Sequence, residues 1–363
     1  MRDAAAGLYA SLQRIAAETS RRPPRITAGF DGCVDSIFRP VKTAAGAEPE
    51  TYFRTIREFG EYLASRAGRS CAVDMREISV RKGGNMPNLS AALTALGAQV
   101  SAVGTLGWPQ PDEHFRDIAG SLYTLAPAGV CNALQFDDGK IMLSNMHAAD
   151  DLTGERLRER LGERETARLF SECDAIALVN WAEMPQATDL WRGVLEVRRN
   201  SAGDGRRTPL LVDITDCAGR SSAELAALAA EIRAASGCCC AIWSLNSNEA
   251  EQLAAALGIP AAGETETARA LRTALDAAIV CIHRIGDCIV SGAEETACLP
   301  GFPVAVPRIS VGAGDTFNGA FLWAVCMDLS PLDAGRFANA ATAQFVRSGD
   351  LPSLPDVMEL LAL

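Results

Sequence analysis

Residues 312–315 place glycine, alanine, glycine and aspartate in direct succession, ahead of an apolar run that suits a helix. The two glycines let the backbone turn tightly with no side chain in the way. The amides of Gly312, Ala313 and Gly314 would then stand at a helix N-terminus, where free N–H groups and the helix dipole favour an anion. Asp315 could take a proton from an attacking hydroxyl while these amides stabilise a transferring group. The pattern therefore indicates phosphoryl transfer, in which a protein mainly positions reactants and neutralises charge.

The alternative for Asp315 is an N-cap, since an aspartate at a helix start contributes about 1 kcal/mol by accepting from backbone amides. A cap does not need the glycines before it, whereas close approach of a ligand does. Two rival glycine motifs do not match the sequence. No Walker GxxxxGK[ST] string occurs, and the dinucleotide pattern GxGxxG would need a glycine where Phe317 stands. A dehydrogenase is therefore disfavoured.

Further acids follow predicted strands. Glu249 lies three residues after Asn246 in LNSNEAEQL, at a strand-to-helix turn where a carboxylate can hold water on a hard cation. The same spacing fits a capping box, so both interpretations stay open. Asp31 and Asp35 follow the first strand in GFDGCVDSIF and suit a diol, because each carboxylate accepts hydrogen bonds. An Asx-type turn is the alternative there.

The elements that must position these residues alternate along the chain. Apolar strands such as PRITAGF, DAIALVNW and TPLLVDIT are separated by helical stretches rich in Ala, Leu and Glu. This alternation predicts right-handed crossovers and a mostly parallel sheet with helices on both faces. Residues 303–309 suit a strand or extended segment before the glycine turn, and Asp138-Gly139 suits a hairpin turn. In such an α/β arrangement, ligands bind outside the carboxyl ends of the strands.

Composition narrows the classes of function. The chain has 363 residues and a net charge of −11, which disfavours a nucleic-acid or anionic-membrane surface. Neither a membrane span nor a signal peptide is predicted, because no sufficiently long apolar stretch occurs. Its 12 cysteines form no CxxC pair and only 3 histidines are present, so a zinc site or disulfide framework is disfavoured and a reducing cytoplasm is expected. We expect one domain over 1–363, with a lid mainly from about 36–82 and part of 131–147 as a further candidate.

The stretch VGAGDTFNGAF resembles a signature of the ribokinase/PfkB family of carbohydrate and nucleoside kinases. A second family signature, a Gly-Gly pair followed by Asn and an alanine-rich helix, is matched by KGGNMPNLSAALTALGA. The order and separation of the two motifs also fit, and the resemblance covers roughly residues 25–350. It implies a Rossmann-like three-layer α/β/α fold with a mostly parallel central sheet and a small β lid over the sugar. It also implies transfer of the γ-phosphoryl group of ATP to a substrate hydroxyl, with Mg²⁺.

The resemblance further implies roles for individual residues. Asn339 resembles a position that borders the adenine, although a buried residue of a helix packed on the sheet would look the same. The implied assignments are the catalytic base Asp315; the anion hole Gly312, Ala313 and Gly314; the substrate site Asp31, Asp35, Gly83, Gly84 and Asn88; the nucleotide site Asn246, Arg284, Gly286 and Asn339; and the metal site Glu249.

The chain departs from the family pattern in three places. Ile309 and Ser310 stand where the signature has Asp-Thr, an acid that helps build a monovalent-cation site in some members, so potassium activation stays open. The Thr-x-Gly-x-x-Gly loop that lines the nucleotide is replaced by residues 283–288, where Arg284 could meet a phosphate or be solvated. The DxNxR pattern is reduced to Asp213-x-Thr215. These changes leave the substrate and the phosphate donor open.

We therefore expect a cytoplasmic, ATP-dependent kinase of a small sugar or related polyol, with no nucleic-acid or membrane partner. The resemblance adds a homodimer that pairs through the lid. A nucleoside kinase of the same fold and a non-catalytic sugar- or nucleotide-binding regulator are the alternatives. The presence of an acid at Asp315 argues against the regulator, since a pure binder does not need the base.

Overall fold

The computed structural model describes residues 2–19, 21–43, 51–201 and 207–362. Its strands are β1 (Arg25–Phe30), β2 (Cys33–Thr43), β3 (Thr51–Tyr52), β4 (Met75–Gly83), β5 (Gln99–Gly104), β6 (Ser121–Thr124), β7 (Gly129–Phe136), β8 (Gly139–Asn145), β9 (Ala175–Leu178), β10 (Thr208–Val212), β11 (Cys239–Leu245), β12 (Ile279–His283), β13 (Asp287–Ser291) and β14 (Thr296–Pro300). Its α-helices are α1 (Arg2–Thr19), α2 (Ile56–Ser65), α3 (Asn85–Ala95), α4 (Gly154–Leu161), α5 (Glu163–Ser171), α6 (Ala187–Ser201), α7 (Ser222–Ala234), α8 (Ser247–Ala256), α9 (Glu264–Ala274), α10 (Ala313–Cys326), α11 (Pro331–Ser348) and α12 (Leu354–Leu361).

The larger sheet has nine strands in the order β14-β13-β12-β11-β10-β9-β1-β5-β6. Pairing is parallel from β6 to β12 and antiparallel where β13 and β14 extend the edge. The chain moves outward from β1 in one direction through β5 and β6, and in the other from β9 to β12. Strand order therefore reverses between β1 and β9, and the crevice outside the carboxyl ends of strands at such a point is where ligands bind.

Helices cover both faces of this sheet, as the fold class predicted. One buried apolar cluster joins the sheet to α1, α3, α10, α11 and α12, and a second joins its other face to α4 through α9. All four side chains of β9 are buried, which is typical of a parallel strand covered on both sides. The predicted three-layer α/β/α arrangement is confirmed.

A smaller sheet lies apart from the nine strands. It has the order β3-β2-β7-β8, and β4 also pairs with β2. The hairpin predicted around Asp138-Gly139 forms as β7 and β8, with Phe136 opposite Gly139. Residues 44–50 of the predicted lid segment 36–82 lie outside the described residues. The function of this sheet as a lid stays a prediction.

For residues 303–309 the sequence left open a strand or an extended segment, and the strand alternative is wrong. Residues 303–309 form no strand and reach α10 as irregular chain. Their backbone pairs instead with the end of α11, since the amide of Arg308 donates to the carbonyl of Val346 at 2.9 Å. The start of α10 is therefore held by a neighbouring helix.

Candidate active site

Helix α10 begins at a glycine turn that leaves backbone amides without partners. Gly312 is the N-cap residue with φ 85°, in the left-handed region, and no side chain caps the helix. The amide of Ala313 donates to the carbonyl of Ser310 at 3.2 Å. The amides of Gly314 and Asp315 have no partner within the described chain. These two donors face the N-terminal end of the helix, where an anion is stabilised.

Asp315 lies in this first turn and connects the two sequence motifs. Its carboxylate accepts a hydrogen bond from the Asn88 side-chain amide at 3.1 Å. The side chain is buried, with 9% of the residue exposed. Burial raises the pKa of Asp315 well above its ordinary value, and the nearby carboxylates of Asp213 and Asp31 raise it further. The group therefore has the basicity of a proton acceptor, provided that it is ionised when an acceptor hydroxyl is bound.

The glycines of the second motif make room for the two acids that follow β1. A Cβ atom on Gly84, whose φ is 98°, would lie 2.6 Å from an Asp31 carboxylate oxygen. A Cβ atom on Gly83 would lie 2.7 Å from the carboxyl group of Asp35. Both distances are too short for any side chain, so the Gly-Gly pair is needed for these acids to occupy their places.

Asp31 and Asp35 differ in their surroundings. Asp31 is 2% exposed and accepts from the backbone amides of Asn85 at 2.7 Å and Met86 at 2.8 Å. It thereby caps α3, and Asn180 adds a third hydrogen bond at 2.9 Å. Asp35 is half-buried, and within the described chain its carboxylate accepts a hydrogen bond from the Cys33 thiol at 3.5 Å. Asp35 is therefore the freer of the two to accept from a substrate hydroxyl, whereas Asp31 holds the start of α3.

A buried polar network beside Asp315 was not predicted from the sequence. Asp213, after β10, accepts from the Asn318 side chain at 2.7 Å and from the amide of Thr215 at 2.8 Å. Asn318 in turn accepts from the Ser244 hydroxyl at 2.6 Å. Burial raises the pKa of Asp213 to about 6. Asn318 lies three residues after Asp315, so the helical period of α10 is the signal that could have found it.

Two asparagines also join the site without a sequence prediction. Asn85 donates from its side chain to the Thr215 hydroxyl at 3.1 Å, which joins α3 to the end of β10. Asn180, after β9, has a φ of 59° and is the residue that donates to Asp31. Such a left-handed conformation is uncommon for a residue other than glycine and marks a local constraint. Only the tertiary structure assembles these contacts.

Asn246 and Glu249 form the capping box that the sequence left as an alternative. The Asn246 side chain accepts from the amide of Glu249 at 3.0 Å, and Glu249 accepts from the amide of Asn246 at 2.8 Å. Glu249 is nevertheless buried, and burial together with the carboxylate of Asp213 raises its pKa to about 8. Glu249 therefore does two things: it caps α8 with Asn246, and it interacts electrostatically with Asp213 beside Asp315.

Two other predicted nucleotide-site residues, Arg284 and Asn339, use their polar groups in contacts with neighbouring elements of the fold. Arg284 forms ion pairs with Glu264 and with Asp287, the latter at 2.5 Å. Asn339 donates to the carbonyls of Leu299 at 3.1 Å and Pro300 at 3.3 Å, which fixes the end of β14 to α11. The structure therefore gives these side chains structural partners and does not bring them into contact with Asp315.

Gly286 lies in the exposed turn between β12 and β13, and its carbonyl accepts from Gly301 at 2.9 Å. Within the described chain, no group of three or more His, Cys, Asp or Glu side chains could hold a metal ion by itself. None of the helices there is long and apolar enough to cross a membrane.

The fold resembles those of solved sugar kinases. Ribokinase from Thermotoga maritima superposes with a TM-score of 0.65 at 16% identity, over 94% of this chain and 100% of that chain. Arabidopsis thaliana ribokinase, solved with ribose and ATP, gives a TM-score of 0.66 at 18% identity, over 94% of this chain and 99% of that chain. The shared fold confirms the predicted ribokinase-like fold.

The sequence comparisons are more specific. A family model for prokaryotic ketohexokinase matches residues 4–362, and the chain belongs to that family. A ketohexokinase of Haloferax volcanii is 27% identical over 337 residues, which cover 92% of this chain and 89% of the relative. The predicted membership of the ribokinase-type kinases is thus confirmed, and the chain is a sugar phosphotransferase.

Proposed function

We propose that this kinase transfers the γ-phosphoryl group of ATP to a hydroxyl group of a ketohexose. The observation that carries the proposal is the first turn of α10. It combines a buried acid of raised pKa, an Asn88 contact that joins both motifs, and free amides for the transferring group. The names of the family and of the Haloferax relative support a ketohexose over a nucleoside.

In the proposed mechanism, Asp315 accepts the proton of the attacking hydroxyl as that oxygen bonds to phosphorus. Asn88 donates to the Asp315 carboxylate and so fixes the direction in which its other oxygen is presented. The amides of Gly314 and Asp315 stabilise charge on the phosphoryl oxygens. Asp35 accepts from substrate hydroxyls beneath the small sheet, which acts as a lid and excludes water. Asp31 keeps α3 and therefore Asn88 in register.

Asp213 and Glu249 fit a magnesium ion that is bound through its coordinated waters. Mg²⁺ keeps several waters and is held by one or two carboxylates together with substrate phosphates. The carboxylate of Asp213 raises the pKa of Glu249, so the two acids lie within electrostatic range of each other, and a divalent cation would relieve their repulsion. Asp213 and Glu249 would therefore hold the ion through its water shell, and the ion would supply neutralisation of the phosphate charge.

The test of the function measures ADP release from Mg·ATP across ketohexoses, aldoses, other polyols and nucleosides. We expect a ketohexose to give the highest kcat/KM. Asp315→Asn should lower kcat by about 10²- to 10⁴-fold with little change in ATP binding, because general-base catalysis contributes that much. Near-normal turnover in the variant would overturn the base assignment. A nucleoside as the best acceptor would favour the alternative kinase, and ATP binding without turnover on any acceptor would favour the regulator.

We also propose that two copies of the chain pair through the small sheet. Its strands expose five large apolar side chains to solvent, each 44–54% exposed: Met75, Ile78, Val130, Met142 and Leu143. Large apolar side chains left exposed on one small sheet are typical of an interaction site. We expect a dimer in sedimentation analysis and a monomer after Met142→Glu with Leu143→Glu, because two buried charges per copy oppose association. A wild-type protein that sediments as a monomer at micromolar concentration would exclude the pairing.

A further inference from the structure

The last residue of β12 places an imidazole ring over the first turn of α10. The ring centroid of His283 lies 5.2 Å from that of Phe317 on this helix. A Cβ atom built on Gly314 would lie 3.5 Å from Cε1 of His283. Because Cε1 lies between the two ring nitrogens, the polar edge of the ring borders the glycine whose amide has no partner. His283 is therefore a neighbour of the proposed anion hole.

His283 differs from the other two histidines in having no hydrogen-bond partner among the described residues. His114 contacts Asp112 at 2.6 Å and His147 contacts Asp150 at 2.8 Å, both through Nδ1. Neither ring nitrogen of His283 has a partner in the described chain. Burial lowers the pKa of His283 to about 4, so the ring is neutral at neutral pH and carries one N–H donor. That donor is available to a ligand.

The anion hole has two sides with different neighbours. At Gly312 the nearest side-chain atom to a built Cβ is the amide nitrogen of Asn88, at 3.6 Å, on the side of α3 and the two acids after β1. At Gly314 the neighbour is His283. His283 ends β12, which is separated from β1 by β11, β10 and β9 in the sheet, so it lies away from the two acids that follow β1. Asn88 and Asp35 belong to the proposed acceptor side, and the phosphate donor must approach in line with the acceptor hydroxyl from the other side.

The basic residue beside His283 does not compete for this place. Arg284 is paired with Glu264 and Asp287, two carboxylates that neutralise its charge and hold its guanidinium away. Each nitrogen of the Arg284 guanidinium has a partner, whereas neither ring nitrogen of His283 has one in the described chain. The acid next to Gly314 in the sequence is Asp315, which accepts a hydrogen bond from Asn88.

We propose that neutral His283 donates a hydrogen bond to a β-phosphate oxygen of the nucleotide, and so holds the leaving group in line with the acceptor hydroxyl. The inference rests on the proposed kinase function of the same site. No proton is transferred in this contact: the N–H bond remains intact while charge accumulates on the β-phosphate as the bond from phosphorus to the bridging oxygen breaks. His283 is thus a phosphate-binding residue that the loop supplies in place of its arginine.

The test compares the binding of MgADP and of adenosine, by calorimetry or by competition against ATP, in the full chain. His283→Phe keeps an aromatic ring against Phe317 but removes the donor, and His283→Gln keeps a donor. We expect His283→Phe to weaken MgADP binding about 10- to 100-fold, the cost of a hydrogen bond to a charged group. Adenosine binding should change less than about twofold. His283→Gln should restore most of the loss, and His147→Gln, at an exposed histidine, is the matched control.

Two results would overturn the inference. Unchanged MgADP affinity in His283→Phe would show that the ring does not touch the phosphates. Equal weakening of MgADP and adenosine would show that the ring only supports the fold. The outcome is independent of the acceptor: if the wild-type chain releases no ADP with any sugar, the proposed kinase reaction fails, while the two titrations still decide whether His283 binds phosphate.

Discussion

Helices α7 and α8 both begin with a capping box, but the two boxes have different surroundings. Ser221 and Glu224 form a capping box at the start of α7, and Asn246 and Glu249 form one at the start of α8. In each, the side chain of the first residue accepts from an amide one turn later and the glutamate accepts from the amide of the first residue. The local sequence pattern therefore gives both glutamates the same structural role.

The electrostatic environment separates the two. The Glu224 side chain is 46% exposed, and its hydrogen bonds from Ser221 and Arg220 lower its pKa to about 2. Glu249 is 5% exposed, and burial, with the carboxylate of Asp213 next in importance, raises its pKa to about 8. A capping glutamate becomes a candidate for metal binding only when the fold buries it beside another acid.

The largest expected difference between the two boxes is in catalysis. Glu249→Gln keeps the oxygen that accepts from the amide of Asn246 and removes the charge. We expect kcat to fall about 10- to 100-fold and the Mg²⁺ concentration for half-maximal rate to rise, because groups that support a metal through its ligands contribute that much. The measurement is ADP release at increasing Mg²⁺ concentration.

Glu224→Gln is the matched control for this change, since it makes the same substitution in the same motif at the exposed helix. Its rate should stay within about twofold of wild type. Equal losses in both variants would mean that the boxes act only on helix stability, and the assignment of Glu249 to the metal site would be wrong.

A smaller difference is expected in how stability depends on pH. The folded pKa of Glu249, about 8, lies above its ordinary value of 4.5, so the folded state binds more protons between those values. The stability of the wild type should therefore decline relative to Glu249→Gln as pH rises from about 5 to 8, by up to about 4 kcal/mol, since that range spans roughly three pKa units at about 1.4 kcal/mol each. Urea unfolding at a series of pH values, with EDTA present, measures this.

Glu224 should behave with the opposite sign. Its folded pKa is lowered, so its contribution is fully present above about pH 4.5 and is lost only as pH falls toward 2. The stability difference between Glu224→Gln and wild type should therefore stay constant from pH 5 to 9. If the Glu249→Gln difference is equally flat over that range, Glu249 ionises normally in the folded chain.

The sequence allowed much of the fold to be predicted because apolar periodicity repeats over long stretches. The strands at residues 25–30, 175–178 and 208–212 coincide with apolar runs that the sequence marks as strands. Residues 303–309 were harder to predict, since an extended apolar segment becomes a strand only if a neighbouring strand pairs with it. The carbonyl of Val346 on α11 engages this segment instead.

The candidate site was predictable only where a local motif carries it. Gly312 and Asp315 are signalled by adjacent residues. Asn180 and Asn318 are not, because their roles depend on hydrogen bonds to Asp31 and Asp213, which lie more than 100 positions away in the sequence. Contacts between distant residues are set by how strands are ordered in the sheet, which no local pattern specifies.

The sequence by itself determined the class of fold, the two glycine turns and the acid in the first turn of α10, since these depend on periodicity and backbone conformation within a few residues. The tertiary structure alone decided which polar groups remain free. It paired Arg284 with two acids, assigned Asp31 to the start of α3, and left His283 without a partner beside Gly314. The physical reason is that burial and electrostatic neighbours, which set both pKa and hydrogen-bond availability, arise only when distant segments pack together.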